Sequence, residues 1–481
     1  MPDFSPGDPE YQDELESVRA KTGLTESVQV GVADVGGSPA VLIIGDFDFL
    51  AGSVGRITCQ MVIATLDRAI AESLPVFASP TSGGIRMQEG TRAFLLMADV
   101  ANAVTRLRAA GLLLAVWLRH PTTGGVMATW GSLGTVTFGE PGALAGFLGP
   151  RVYEMLEGQP FPPGVQQTDN LADHGVIDGV LPLVDVRRVV SRLVSATRPA
   201  TREVAVVAKT RELPATSGAS DAEAVRPAWD NVVATRDPAR PGCRELIAAN
   251  MTEVVTLSGT GEGQLSPAIA LKIGRWQGRS VTVIAQDRVA QADGALIGPA
   301  ALKTARRGLR IAAELNLPLV TIVDTPGAEL SVEAEEGGLA GQIARCLAEL
   351  MAVPVPTVSV LVGMGCGAGA IALLPADTVV AAELSWVSPL PLEGASVIRH
   401  RTPDRAAEMA EQQRVTAGFM AADGFVDVLV AEESAATGSA QSGRLVEEIG
   451  DAVATALTDL TNLDQSDREL RRRRRYSGGL V

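Results

Sequence analysis

The chain has 481 residues, with 56 acidic against 41 basic side chains and a formal net charge of −15. That length exceeds one ordinary hydrophobic core, so two large domains are expected, and so acidic a chain offers no phosphate-neutralising track for a nucleic acid. Hydrophobic residues at 46% and charged residues at 20% supply enough apolar material for packed interiors, which excludes wholesale disorder.

The amino terminus, MPDFSPGDPEYQDELES, is acidic and lacks the basic and apolar segments of an export signal, so a cytoplasmic location is expected. Beyond it, strand-like apolar runs alternate with helical stretches. Ala40 to Ile44 and Pro75 to Phe77 read as strands separated by a helix over Gly55 to Ala71, and Gly111 to Leu118 as a further strand. The second half returns to the same order: Ser280 to Ala285, a helix over Pro299 to Leu315, then Pro318 to Val323 and Thr357 to Val362. This alternation predicts an α/β architecture in which helices cover sheets.

The loops repeat as well. SGG at 82–84 follows one strand and DTPG at 324–327 its counterpart, while TTGG at 122–125 is matched by GCGAG at 365–369. Late in each half comes an Ile/Val–Asp pair, Ile177–Asp178 and Val426–Asp427, separated by 249 positions (178 to 427). Such offsets predict a tandem duplication of one domain type. The expected boundaries are a first domain over 1–197, a linker over 198–228 rich in Pro, Ala, Ser, Thr and charges, and a second domain over 229–481.

From Leu350 to Ala376 run 27 residues without a charge, long enough to span a bilayer. Pro354 and Pro356 open the run, however, and Gly363, Gly365, Gly367 and Gly369 interrupt it, while Thr357 to Leu361 is β-branched. The segment therefore reads as a buried strand, a glycine loop and a buried helix, with no membrane association. Cys59, Cys243, Cys346 and Cys366 are too widely spaced for a local metal or redox site, so no metal and no disulfide framework are expected. The three histidines, His120, His174 and His400, read as structural or solvated, and no GxSxG elbow, HExxH, Walker A loop or GxGxxG after a first strand is present.

What the chain does supply is glycine-paired loops directly after buried strands. Adjacent small residues at such a turn aim successive backbone N–H groups at one oxygen, which is the construction of an oxyanion hole. Gly124–Gly125 is the first candidate and Ala368–Gly369–Ala370 the second. In isolation each loop reads as well as a tight strand-to-helix junction; two at matching places in a duplicated domain favour two holes, as a reaction with two carbonyl-type oxygens requires.

Several longer segments carry a resemblance. DFDFLAGSVG at 46–55, SGGIRMQEG at 82–90, HPTTGGV at 120–126 and EPGALAGFLGPRV at 140–152 resemble the β subunit of the bacterial acetyl-CoA carboxylase carboxyltransferase. AWDNVVATRDPARP at 228–241, VDTPGAE at 323–329, EEGGLAGQIAR at 335–345 and SPLPLEGAS at 388–396 resemble its α subunit. The match runs over roughly residues 25 to 435 in the family's order.

The resemblance implies tandem crotonase-like domains of ββα spiral type (the ClpP/crotonase superfamily), fused as in the actinobacterial single-chain acyl-CoA carboxylase β subunits. It implies transfer of a carboxyl group from carboxybiotin to the α-carbon of an acyl-CoA, with the thioester on the first domain, biotin on the second, and the site between opposite domains of two protomers. The implied partners are an acyl-CoA, a biotin carboxylase with its biotin carboxyl carrier, and further copies of the chain as a dimer or hexamer; biotin arrives on that separate carrier protein, since no AlaMetLysMet segment is present. Gly124 and Gly125 would stabilise the thioester enolate, and Ala368, Gly369 and Ala370 the biotin ureido oxygen. Ser82, Gly83, Gly84 and Arg86 match the loop near the acyl-CoA, with Arg86 either facing the ligand or anchoring the loop through Glu89; Gly327, Ala328 and Gly367 match the biotin-side loop.

The chain departs from the family in lacking a four-cysteine zinc ribbon and in placing Met364, Cys366 and Ala368 around the second hole. Cys366 is either a small buried hydrophobe or a thiol activated by nearby amides. A biotin-independent crotonase-type enzyme such as a decarboxylase, and a non-catalytic scaffold, are the alternative functions. The basic tail RELRRRRRY at 468–476 reads as a solvated or dimer-contacting helix end, or as a contact for a phosphate-bearing ligand or acidic partner.

Overall fold

Uniformly apolar strands need cover on both faces, and the chain provides it with two helix-covered sheets, one in each half. The computed structural model describes residues 9–146, 159–197, 226–432 and 439–476. Most of the expected linker, 198–225, and part of the EPGALAGFLGPRV segment, 147–152, lie outside the described residues.

The first half contributes β1 (Val28–Asp34), β2 (Pro39–Gly45), β3 (Val76–Ser79), β4 (Leu114–Leu118), β5 (Thr122–Thr123), β6 (Val136–Gly139), β7 (Ala145–Gly146) and β8 (Gly179–Val180). Six of them form one sheet in the order β1-β2-β3-β4-β6-β8, and β5 pairs with β7 apart from it. The second half contributes β9 (Met251–Leu257), β10 (Ile269–Trp276), β11 (Arg279–Gln286), β12 (Leu319–Thr325), β13 (Thr357–Cys366), β14 (Thr378–Ala382), β15 (Trp386–Ser388) and β16 (Val428–Val430). They form an eight-stranded sheet in the order β16-β14-β13-β12-β11-β10-β9, with β15 pairing on β13.

The duplication is visible in the pairing. Strands β1 and β2 are antiparallel and the rest of that path is parallel; β10 and β11 are antiparallel and β11 to β16 parallel. At the centre, Val76 stands opposite Leu114 and Leu319 opposite Thr357, an offset of 243 in both strands (76 to 319, 114 to 357). Strand β9 is the extra edge of the second sheet. The aspartates late in each half are equivalent too. Asp178 Oδ2 accepts from Thr137 N at 2.8 Å, and Asp427 Oδ2 accepts from Val379 N at 2.7 Å, each clipping its neighbouring strand.

The covering helices follow from their spacing. Helix Arg56–Glu72 buries Thr58, Cys59, Val62, Leu66 and Ala69, a stripe at three- and four-residue intervals, and packs with helix Gly90–Ala109 over the first sheet. Helix Pro299–Glu314 turns Leu302, Ala305, Leu309 and Ala312 inward. Helix Leu183–Thr197 presents Val186, Val189, Val190, Leu193 and Val194, and this face lies on β9 and β10 of the other half. One continuous core therefore runs from Trp117 and Phe138 to Leu271, Leu302 and Leu361. Burying each such side chain contributes about 1.5–3 kcal/mol.

Ion pairs lock the same seam: Arg307 holds both oxygens of Asp178 at 2.9 Å, and Arg108 grips Glu314 at 2.7 and 3.1 Å. The uncharged stretch from 350 resolves into the end of helix Leu339–Ala352, strand β13 and the short helix Gly367–Ile371. Among the described residues no helix is long and apolar enough to cross a membrane.

The basic tail behaves differently from either expectation. Helix Gln465–Tyr476 docks on the second half, with Arg472 only 1% exposed and both its terminal groups spent on Asp377 and on the carbonyls of Leu350 and Val353. Arg468 donates to Pro354 O at 2.9 Å, and Arg475 pairs with Asp427. The acceptors lie from 48 to 122 positions upstream, beyond the reach of any local pattern.

Candidate active site

The first site is assembled where three strands of the first half end. Beyond β3, the Ser82 side chain is buried; its Oγ accepts from Gly84 N at 3.0 Å, and Ser82 N donates to Pro121 O at 2.7 Å. Gly84 O in turn accepts from Val54 N at 2.9 Å, tying the turn to the segment before helix Arg56–Glu72. Gly83 is exposed at the tip and Gly84 buried. Strand β5 delivers Gly124 beside this turn: a Cβ on Gly124 would lie 3.0 Å from Gly84 Cα. Gly125 is equally enclosed, since a Cβ there would meet Met97 Sδ at 2.5 Å and Ile85 Cδ1 at 2.7 Å. Gly84 of the turn and Gly124 of the pair thus touch through bare backbone, the arrangement that lets amides approach a ligand oxygen.

The second half builds the same object 243 positions later. Thr325 takes the place of Ser82, its Oγ1 accepting from Gly327 N at 3.1 Å. The isolated bridge of Val54 with Ile85 recurs between Ile297 and Ala328. Gly124 at φ +64° corresponds to Gly367 at φ +63°, both in the left-handed region. The partner of Gly124–Gly125 by position is therefore Gly367–Ala368 (124 to 367, 125 to 368), one residue ahead of the Ala368–Gly369–Ala370 run picked out in the sequence. Ala368 is exposed and Gly367 half-buried, whereas Gly369 and Ala370 are buried; Gly369 O accepts from Gln286 Nε2 at 2.7 Å. The first-turn amides of a helix have no intrahelical acceptor, which makes those of Gly367, Ala368 and Gly369 the donor groups this loop has to offer.

The departures around the second hole do not fill it. Cys366 is 1% exposed and, with the half-buried Met364, packs into a cluster with Trp386, Leu392 and Met409. Burial pushes the Cys366 thiol up against a weaker opposing contact with Ser388, so it is a packing residue and not an activated nucleophile.

Arg86 resolves as an anchor. It is 1% exposed, pairs with Glu26 through both terminal nitrogens, donates to Ser53 O at 2.7 Å and stacks over Phe49 at 5.5 Å. Burial opposes its charge, but the Glu26 carboxylate outweighs that and holds its pKa above the ordinary range. It shapes the loop from beneath. The second half has Glu329 in that place (86 to 329), its Oε1 accepting from Ser331 Oγ at 2.8 Å.

Other supports went unnoticed in the sequence. Buried Gln286 and Gln291 bracket Asp324 N and O at 3.0 Å each, and Gln291 Oε1 accepts from Thr325 Oγ1 at 2.6 Å. Asp324 is fully buried; desolvation pushes its carboxyl up, while Arg288 and the Met364 amide oppose the shift. Two glutamines, one at the end of the buried strand β11 and one on the short helix Arg288–Ala292 after it, were the available signal. His120 Nδ1 accepts from Leu144 N at 3.1 Å and serves the loop backbone.

Comparison with known proteins agrees with this architecture. The model of the carboxyl transferase domain family matches residues 3–463. The chain is 45% identical over 466 residues to a probable biotin-dependent acyl-coenzyme A carboxylase beta3 subunit of Mycobacterium tuberculosis, covering 97% of this chain and 92% of that protein. It is 34% identical to the acetyl-coenzyme A carboxylase carboxyl transferase subunits beta/alpha of Saccharopolyspora erythraea, over 97% of this chain and 82% of that one. Among solved structures, transcarboxylase 12S with methylmalonyl-coenzyme A and methylmalonic acid bound superposes with a TM-score of 0.71 at 20% identity, covering 90% of this chain and 82% of that one, a likeness of fold. The two sheets with their repeated loops are thus tandem crotonase-fold domains, and the chain belongs to the carboxyl transferase family, as an enzyme of the acyl-CoA carboxylase carboxyltransferase type.

Proposed function

We propose that this chain moves a carboxyl group from carboxybiotin to the α-carbon of a short acyl-CoA, of the acetyl-CoA or propionyl-CoA class, giving malonyl-CoA or an alkylmalonyl-CoA. The observation that carries the reading is the duplicated pair of loops: Gly124 against Gly84 in the first half, and in the second Gly367–Ala368 at the matching positions with Gly369 against Gly327 and Ala328. A carboxyl transfer between a thioester and a cyclic urea has two oxygens that gain negative charge, and each needs its own donors.

In this reading the first half takes the acyl-CoA. The amides around Gly124 and Gly125 hold the thioester oxygen as charge builds on it, and the Ser82–Gly84 turn keeps water and side chains away from the α-carbon. The second half takes biotin, with the amides of Gly367, Ala368 and Gly369 serving its ureido oxygen; Gly327 and Ala328 shape the approach. A bare-backbone cradle of this kind fits a flat ring, because Met364 and Cys366 turn into the protein. Biotin, arriving on a carrier protein associated with a biotin carboxylase, supplies the carboxyl group and then the base for the α-proton, so the scarcity of acid–base side chains is no obstacle. Positioning and electrostatics would supply the rate. The halves of one chain are joined back to back through a common core, which supports pairing of opposite halves from two copies in a homo-oligomer.

The test is release of acyl-CoA from malonyl-CoA and methylmalonyl-CoA by the purified chain, with and without biocytin. Biocytin-dependent release is expected. Equal release without biocytin would replace the reading with a decarboxylase.

A further inference from the structure

The turn at Ser82–Gly84 is held from both sides. On its inner side stands Gly124. On its outer side, helix Pro9–Thr22 reaches across from ahead of the first sheet and places Tyr11, 2% exposed, against the turn's trailing end. Tyr11 Oη donates to Glu89 Oε1 at 2.6 Å, Glu89 Oε2 accepts from Arg56 N at 2.6 Å, and Arg86 Nη1 reaches Tyr11 Oη at 3.4 Å and Glu89 at 3.3 Å. Gln88 adds a contact to Glu14 at 3.0 Å, and the ring of Tyr11 packs with Leu15 and Phe49.

Glu89 is the hinge of this arrangement. One oxygen caps the first turn of helix Arg56–Glu72, where negative charge is favoured, and the other is available to Tyr11. The tyrosine pKa is pushed up to about 12, by burial first and by the Glu89 contact second, so the hydroxyl remains a donor throughout the working pH range.

The second half has no such tyrosine–carboxylate contact at its loop among the described residues. Of the two helices ahead of its sheet, Cys243–Asn250 runs directly into β9, and Ala228–Thr235 packs beside the second loop, its Ala228 and Val232 clustering with Cys366 and with Trp386, whose Nε1 donates to Thr235 Oγ1 at 2.7 Å. The equivalent turn at Thr325–Gly327 is held instead by Gln291, on the short helix Arg288–Ala292.

We propose that helix Pro9–Thr22 is a brace for the first-half loop, and that Tyr11 and Glu89 are positioning residues that set the spacing between that loop and the Gly124–Gly125 amides. The inference rests on the assignment of the acyl-CoA to the first half. Because the Tyr11–Glu89 contact lies wholly in the first half, the prediction is one-sided: loosening it weakens handling of the CoA substrate and leaves the biotin side untouched.

Tyr11→Phe removes only the hydroxyl and keeps the ring among Leu15 and Phe49, so the chain folds. In biocytin-dependent turnover, the KM for malonyl-CoA should rise about tenfold, the value of one charge-assisted hydrogen bond, with the KM for biocytin unchanged. Hydrogen exchange at the amides of Gly84, Arg86 and Glu89 should quicken by about the same factor. Glu16→Gln, on the exposed side of the same helix, should match wild type in both readouts. Unchanged exchange in Tyr11→Phe, or an equal rise in both KM values, would overturn the brace. Should the wild type show no biocytin-dependent release, the functional reading fails, and the loop's exchange rates still decide whether the helix braces it.

Discussion

Gly124 and Gly367 hold the same place in the two halves and nearly the same φ, yet replacing each with alanine should have unequal consequences. Both substitutions put a Cβ into the left-handed region, which costs about 1–2 kcal/mol in stability. Their neighbours differ. At Gly124 the added carbon would lie 3.0 Å from Gly84 Cα, so backbone has to move and the loop and the amide pair are driven apart. At Gly367 the nearest atom is Pro389 O at 3.5 Å, an ordinary contact. Losing one well-aimed donor to a developing oxyanion costs about 2.7–4 kcal/mol, or roughly a hundred- to a thousandfold in kcat. Gly124→Ala should therefore cut biocytin-dependent acyl-CoA release by about two to three orders of magnitude, while Gly367→Ala stays within about tenfold of wild type, the strain term alone. Thermal melts run alongside should show a loss of about 1–2 kcal/mol for Gly367→Ala and a larger one for Gly124→Ala, with both chains still folded. Equal activity in the two variants, with both folded, would refute the argument that the first hole depends on that backbone contact.

Further outcomes follow from buried charge and from thiol burial. Arg472→Met strands Asp377 beneath the last helix and should cost about 3–5 kcal/mol, as breaking a buried pair does; adding Asp377→Asn should recover part of the lost melting temperature, and a melt unchanged by Arg472→Met would contradict the docking. Asp178→Asn removes the charge and turns one of the two oxygens that Arg307, Thr137 N and Ser258 N share between the halves into a donor, and should lower the melting temperature by more than Asp427→Asn, whose arginine partner belongs to the terminal helix; the reverse order in a thermal-shift series would count against the seam. Burial raises all four thiols, Cys59, Cys243 and Cys346 to about 12, so at pH 8 the thiol form predominates in each. Iodoacetamide should then label the native chain far more slowly than the unfolded one, and rapid single-site labelling at Cys366 would show that it is activated after all.

The elements that the sequence foretold share a trait. Strands β2, β4, β11, β12 and β13 are short apolar runs bounded by Gly or Pro, and helices Arg56–Glu72 and Pro299–Glu314 carry an apolar stripe beginning at Gly or Pro; such signals are local and survive without tertiary knowledge. The glycine loops were legible for a similar reason, since bare backbone after a buried strand is uncommon without a purpose. The offset between the loops took the structure to fix. Matching φ and bridge partners sets Gly367–Ala368 against Gly124–Gly125, while Gly369, in the middle of the Ala368–Gly369–Ala370 run, is the residue that lies against Gly327. Arg86 stayed ambiguous because its carboxylate partner, Glu26, is sixty positions away. The terminal arginines looked solvent-bound for the same cause, their acceptors Asp377 and Asp427 being invisible to any window along the chain.

Sequence alone determined the α/β class, the duplication and the family, because apolar periodicity, repeated loop motifs and long runs of matching residues are one-dimensional properties. Only the tertiary structure decided which glycines correspond, which arginines are anchors, and that a single core joins the two halves. Those outcomes depend on pairs brought together across more than fifty residues, where desolvation turns a polar side chain into either a committed partner or a cost, and that choice is made by the neighbours and not by the residue itself.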